Sequence, residues 1–215
     1  MKNPRLAIAL IFISAWVACG QNLPGQPAEQ GVPTIRFENI PLTVAIENLG
    51  RTAGYNFTID PKIARAGNTN TATLVNIRWE NLTAKKALDR ILKERGLFLV
   101  ENPQTGVVKI TVTNSPPRVF EKELLDSSKD VIPLIQMMEV PLDAALANLG
   151  KQAKLKLELD PRLLDSTKPF SERVFVSIRF EGLTASQAVA GICDQHSLQI
   201  AKSDKVGTWN ISPSK

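Results

Sequence analysis

NIRWENLTAKKALDRILKERGLFLV, Asn76 to Val100, decides the fold because the chain contains it twice. The second version is SIRFEGLTASQAVAGICDQHSLQIA, Ser177 to Ala201, with Ile77 falling on Ile178, Thr83 on Thr184 and Leu97 on Leu198. Upstream, IPLTVAIENLGRTAG from Ile40 matches VPLDAALANLGKQAK from Val140, and each run leads to an Asp-Pro pair, Asp60-Pro61 and Asp160-Pro161. Self-similarity at a nearly constant offset, 100 residues for the upstream run and 101 for the downstream one, is a tandem repeat of a structural unit.

The local pattern says what that unit is. Val75, Ile77 and Trp79 alternate with Asn76, Arg78 and Glu80, the period of a half-buried strand. Thr83 then caps a helix whose inner face is Ala84, Ala87, Leu88, Ile91 and Leu92, and Gly96 ends it. Leu97 to Val100 and Val107 to Val112 read as a closing hairpin around Gly106. Before the repeated stretch, Ile35 and Phe37 alternate on a first strand, and Pro41 opens a helix at its first position. Leu42, Ala45, Ile46, Leu49 and Ala53 make one apolar stripe that Gly54 stops. Tyr55, Phe57 and Ile59 mark the next strand, and Pro61 to Thr71 a loop. The second copy keeps the plan, with Leu142, Ala145, Leu146 and Leu149 on its first helix. Thr184 with Gln187 forms a capping box at the head of its last helix.

The expected fold is therefore α+β: two small tandem domains, each with two helices packed on short mixed sheets in the order β-α-β-β-α-β-β. The boundaries are an export segment 1–20, a flexible leader 21–33, a first domain 34–114, a linker 115–130 and a second domain 131–213. A short helix is expected inside the linker, in VFEKELLD. Gly50 and Gly150 recur inside the first helix of each copy, where glycine costs about 1 kcal/mol against alanine, so close packing against a neighbour is expected there.

Lys2 and Arg5 followed by the apolar run Leu6 to Ala18 read as a secretory signal, too short for a membrane span, which needs about 20 residues. Two cleavage chemistries stay open. Cys19 sits where a lipoprotein carries its lipidated cysteine, although Trp16 stands where such a motif prefers leucine; ordinary cleavage after Gly20 would discard it. The leader QNLPGQPAEQGVP suits a tether. The formal charge of +5 includes Lys2 and Arg5, so the exported chain is only mildly basic, and nucleic acid is not an expected partner. Membrane contact is expected only through a lipid anchor at Cys19.

The search for chemistry finds little. The single histidine, His196, stands near a helix end, where a cation complements the helix dipole. One histidine and two cysteines assemble no recognised metal-ligand spacing, no glycine-rich phosphate loop occurs, and no cofactor is expected. Cys193 falls on a helix's apolar face as a small buried hydrophobe rather than a reactive thiol. Asp60 with Asp160 and Glu80 with Glu181 recur one to a copy, which fits turn-forming or solvent-facing residues better than a catalytic pair sharing a cleft. Lys85, Lys86, Arg90, Lys93 and Arg95 make one helix face of the first copy basic, but Ser186, Gln187, Gly191, Asp194 and His196 replace them in the second. That face is either solvated or a partner surface peculiar to the first domain.

Each copy resembles the short N-terminal domain shared by secretins and TonB-dependent receptors. The resemblance is carried by IRFENIPLTVAIENLGRTAGYNFTIDP with LVNIRWENLTAKKALDRILKERGLFLV, and by IQMMEVPLDAALANLGKQAKLKLELDP with VSIRFEGLTASQAVAGICDQHSLQI. It implies a small domain with two helices on mixed strands, and a role in docking protein partners in the periplasm. The sequence stops at Lys215 without the barrel of a secretin or a receptor, so the docking role is what the resemblance carries over.

The expected function is that of an exported, non-enzymatic periplasmic or outer-membrane-associated protein. Its two domains would dock envelope proteins of a secretion, pilus or TonB-linked system. The alternative is a self-associating structural subunit of a periplasmic ring or collar; an enzyme acting on the cell wall is the least favoured reading. Partner capture is expected at a sheet edge, with the closing segments as candidates and Val108, Ile110, Trp209 and Ile211 as side-chain determinants, unless those strands lie inside their sheets.

Overall fold

A computed structural model describes residues 32–65, 74–163 and 174–214. The export segment, Cys19 and residues 21–31 of the leader lie outside the described residues, as does part of the loop after Pro61. Six helices and ten strands form small mixed sheets, the α+β architecture expected from the repeat.

In the first repeat, β1 (Val32–Pro41) pairs antiparallel with β3 (Leu74–Leu82). A second sheet is built from β2 (Asn56–Ile59), β4 (Phe98–Asn102) and β5 (Val107–Thr111), in the spatial order β2-β5-β4. Between them lie helices α1 (Leu42–Thr52) and α3 (Ala84–Glu94), with one extra turn, α2 (Pro61–Arg65). The apolar stripes of α1 and α3 bury Leu42, Ile46, Leu49, Leu88 and Ile91 in one cluster with Ile35, Val75 and Ile110. Thr83 accepts from the Lys86 N–H as a cap should. Pro41 stands one place before its expected position, as the N-cap itself.

The second repeat copies this plan after a short α4 (Lys122–Leu125), the helix expected in the linker. Strands β6 (Val131–Pro141) and β8 (Phe175–Thr184) pair antiparallel, and β7 (Lys156–Leu159), β10 (Thr208–Pro213) and β9 (Leu198–Lys202) form the second sheet in that spatial order. Helices are α5 (Leu142–Gln152) and α6 (Ala185–Gln195), the latter opened by the Thr184–Gln187 capping box.

Both glycines inside the first helices sit against strands. A Cβ on Gly50 would lie 2.7 Å from the Phe57 ring, and one on Gly150 2.7 Å from Leu157 Cδ1. Both long antiparallel pairs carry the same bulge, at Asn39 and Glu139, each in the left-handed region. A polar side chain opposite holds each one: Asn76 Oδ1 accepts from Asn39 N–H at 2.9 Å, and Ser177 Oγ from Glu139 N–H at 3.1 Å.

One expectation is overturned here. The closing strands are not edges: β5 lies between β2 and β4, and β10 between β7 and β9. Val108, Ile110, Trp209 and Ile211 are buried side chains of central strands and offer no ladder to a visitor. The reason is the parallel pairing of β2 with β5 and of β7 with β10, which places the last strand beside one far earlier in the chain.

The segment between the repeats is clamped rather than loose. Phe120 and Leu124 are buried in the second repeat's core. Gln104, in the β4–β5 turn, exchanges two hydrogen bonds with the Phe120 backbone, and Arg118 donates to the Leu198 carbonyl.

Candidate functional site

The functional surface follows from how the repeats meet. Alternation along β2 and β5 turns Phe57, Ile59 and Ile110 toward the first repeat's own core, and Asn56, Thr58, Val107 and Lys109 to the opposite face. That opposite face is covered by α6 of the second repeat. Val107, 4% exposed, belongs to the second repeat's core cluster. A Cβ added to Gly191 would lie 3.2 Å from Val107 Cγ2, so a glycine in mid-helix is what lets β5 approach α6. Lys109 Nζ donates to the Asp194 carbonyl at 2.6 Å and stands 3.6 Å from its carboxylate, with both side chains largely buried.

The exchange of the basic helix face between the two copies now has a cause. On α3 the positions of Lys85, Asp89, Arg90, Lys93 and Glu94 are exposed; on α6 the matching Ser186, Ala190, Gly191 and Gln195 are buried, with Asp194 paired to Lys109. The copy of the helix that packs at the joint carries less charge on this face than the free copy. On the free copy, Arg90 stacks 5.1 Å from the Trp79 ring centroid and pairs with Glu94 at 3.0 Å, a solvated arrangement. Phe180 takes the place of Trp79 in the second repeat and is fully buried against Gly191.

Along the margin of this joint the first sheet's β2 and the second repeat's β8 face each other. Asn56 holds them at one end: its amide donates to the Glu181 carbonyl at 2.9 Å and accepts from the Glu181 N–H at 2.7 Å. Farther along, Gln195 Nε2 donates to the Ile59 carbonyl at 3.3 Å. Between and beside these clasps opens a cleft of about 1010 Å³, walled by α1 and β2 on one side and by β6 and β8 on the other.

Two residues that line this cleft each carry a buried polar atom without a hydrogen-bond partner among the described residues. These atoms are the hydroxyl of Thr58, 3% exposed, and Oε1 of Gln195, 9% exposed. Leaving such a group unsatisfied costs about 1–3 kcal/mol each, so each of the two atoms calls for a partner. The rest of the wall mixes polar and apolar surface, and the Glu139 carboxylate on it has no ion-pair partner among the described residues. Phe57, Ile59, Met137 and Phe175 contribute carbon, while the rim guanidiniums are already paired, Arg51 with Glu47 at 3.6 Å and Arg179 with Glu181 at 2.7 Å. Met138 on the β6 bulge stands 73% exposed at the mouth.

The other singled-out residues resolve simply. Asp60 forms the turn into α2, accepting from Lys62 N–H at 2.8 Å. Asp160 does the same for Arg162, whose guanidinium hydrogen-bonds its carboxylate and holds it down to about 2. The two aspartates sit in separate repeats at matching turns, as duplication of a turn residue requires. Glu80 and Glu181 are exposed and paired with Arg78 and Arg179. Cys193 is fully buried, and burial pushes its thiol up to about 12. His196 caps the end of α6 and lines the cleft.

Among the described residues no three His, Cys, Asp or Glu side chains are placed to hold a metal, and no helix is long and apolar enough to cross a membrane. No family model, curated protein or solved structure matches the chain.

Sequence reasoning did not find Asn56, Thr58, Lys109 or Gln195. One signal was present: Gly191 stands inside a helix where the other copy carries Arg90, a substitution that marks a face pressed against something.

Proposed function

We propose that this chain is an exported envelope protein that works by docking other proteins, with the cleft between its two repeats as the docking place. The observation that carries this is the pair of orphaned buried polar atoms, Thr58 Oγ1 and Gln195 Oε1, on residues that line a cleft built from both repeats. A cleft that both units must complete gives the duplication a use that neither repeat has alone. The N-terminal charge and apolar run support export, and the resemblance to the short N-terminal domain of secretins and TonB-dependent receptors supports protein partners of a secretion, pilus or TonB-linked system.

The test is site-directed photocrosslinking in intact cells from position 138, at the cleft mouth, and from position 158, on the open face of the second sheet. Discrete protein adducts from position 138 and none from position 158 are expected. Absence of adducts from either position overturns the docking reading.

A further inference from the structure

Resting on that docking reading, we propose that the cleft binds its partner as a single extended peptide segment, free of acidic residues, that pairs with the outer edge of β8. In an antiparallel pair, successive residues turn their N–H and C=O groups alternately toward the partner strand and away from it. The N–H and C=O of Glu181 both point away from β6, because both meet the Asn56 side chain. Two residues earlier, Arg179 therefore turns its own N–H and C=O to the same outer side, into the cleft that it lines. Among the described residues β8 has no ladder partner on that side.

Asn56 shows what this edge accepts. Its carboxamide supplies one N–H and one C=O oxygen to a single residue of β8, which is what a neighbouring strand would supply. Past Asn56 the chain offers no further mimic, and the edge at Arg179 is left for a real strand.

Opposite that edge, the two orphaned atoms have the complementary requirement. Gln195 Oε1 needs a donor, since its Nε2 is already committed to the Ile59 carbonyl, and the Thr58 hydroxyl can donate to a carbonyl. A peptide main chain carries both groups on both of its sides, whereas a lipid tail or a simple anion does not. Charge narrows the choice to a segment without acidic residues, because the guanidiniums at the rim are paired within the protein while the Glu139 carboxylate on the lining has no ion-pair partner among the described residues. Apolar wall residues from Phe57 to Phe175 then favour a segment whose alternate side chains are apolar.

The experiment pans the exported chain against displayed random peptides of about ten residues, the length of a long strand. Alternately apolar sequences without acidic residues should be selected. A fluorescent selected peptide is then titrated by anisotropy against wild type, Arg179→Pro and Thr58→Val. Arg179→Pro removes one outward N–H and leaves the β6 ladder intact, and Thr58→Val keeps the shape while removing the hydroxyl. Each should weaken binding about tenfold. The same peptide N-methylated on alternate amides should lose binding to the unaltered protein in one of its two registers, a result that no folding defect can imitate. Unchanged affinity on N-methylation in both registers, or selection of no peptide, overturns the proposal. So does selection of sequences matching residues 21–33, or cleft-dependent dimers, either of which would make this chain the occupant. If position 138 still yields protein adducts in Arg179→Pro cells at the wild-type level, strand addition is wrong while docking stands.

Discussion

Replacing Val107 by alanine asks whether the two repeats unfold as one body. Val107 belongs by sequence to the first repeat, on β5, yet it is buried in the hydrophobic cluster of the second, against α6. Removing its two methyl groups forfeits about 0.8 kcal/mol of transfer free energy per carbon. The residual cavity brings the total to about 2 kcal/mol. The assay is supplied by the chain itself: past the export segment each repeat carries one tryptophan, Trp79 on β3 and Trp209 on β10. Trp79→Phe and Trp209→Phe backgrounds therefore report each repeat separately. With a urea dependence of about 2 kcal/mol/M, the midpoint should fall by about 1 M. The fall should be equal in both backgrounds. A Trp209 transition that stays in place while the Trp79 transition moves would refute the reasoning, since the second repeat would then be indifferent to a residue placed in its core.

Further outcomes are expected. Gly191→Arg, which copies Arg90 of the first repeat, should push β5 off α6 and speed hydrogen exchange at Val107 and Lys109, because even a Cβ there meets Val107 at 3.2 Å; exchange at wild-type rates would count against the joint. Cys193, buried and with its thiol pushed up to about 12, should resist iodoacetamide at neutral pH until the protein unfolds, so that labelling rises only along the denaturation curve. Asp160, depressed to about 2 by Arg162, favours the folded state above the ordinary carboxylate range, and that contribution is lost as pH falls through about 2. Its carboxyl carbon shift should therefore stay flat by NMR down to about pH 3 and titrate higher in Arg162→Ala, yet below the usual value, because the backbone N–H of residue 162 still donates to it.

What the sequence made legible was local. The stripes of α1, α3, α5 and α6, the Thr83 and Thr184 caps and the turn aspartates all follow from period and capping chemistry among close neighbours, and each stands where the pattern puts it. Pairing was not legible, because β2 chooses β5 across most of a repeat and no residue in either strand announces its partner. That is why Val108 and Trp209 looked like edge positions and are central. The cleft depends on Asn56 meeting Glu181, and that contact spans both repeats. In sequence, Asn56 is only one polar residue on a strand.

The joint between the repeats is head-to-tail: the open sheet face of one unit sits on the helix and strand of the next. A contact of that kind has no internal reason to stop at two and could string molecules into a filament. The free ends of this chain lack the matching halves. At the leading end Arg90 fills the place of Gly191, and Lys93 that of Asp194. At the trailing end Lys156 replaces Asn56, so a lysine that can only donate stands where a carboxamide both donates and accepts. A second molecule trying to continue the series would meet a guanidinium stem where the sheet needs bare backbone. The duplicated chain thus carries its own terminators, and any ring of copies must be built through a different surface from the one that joins its halves.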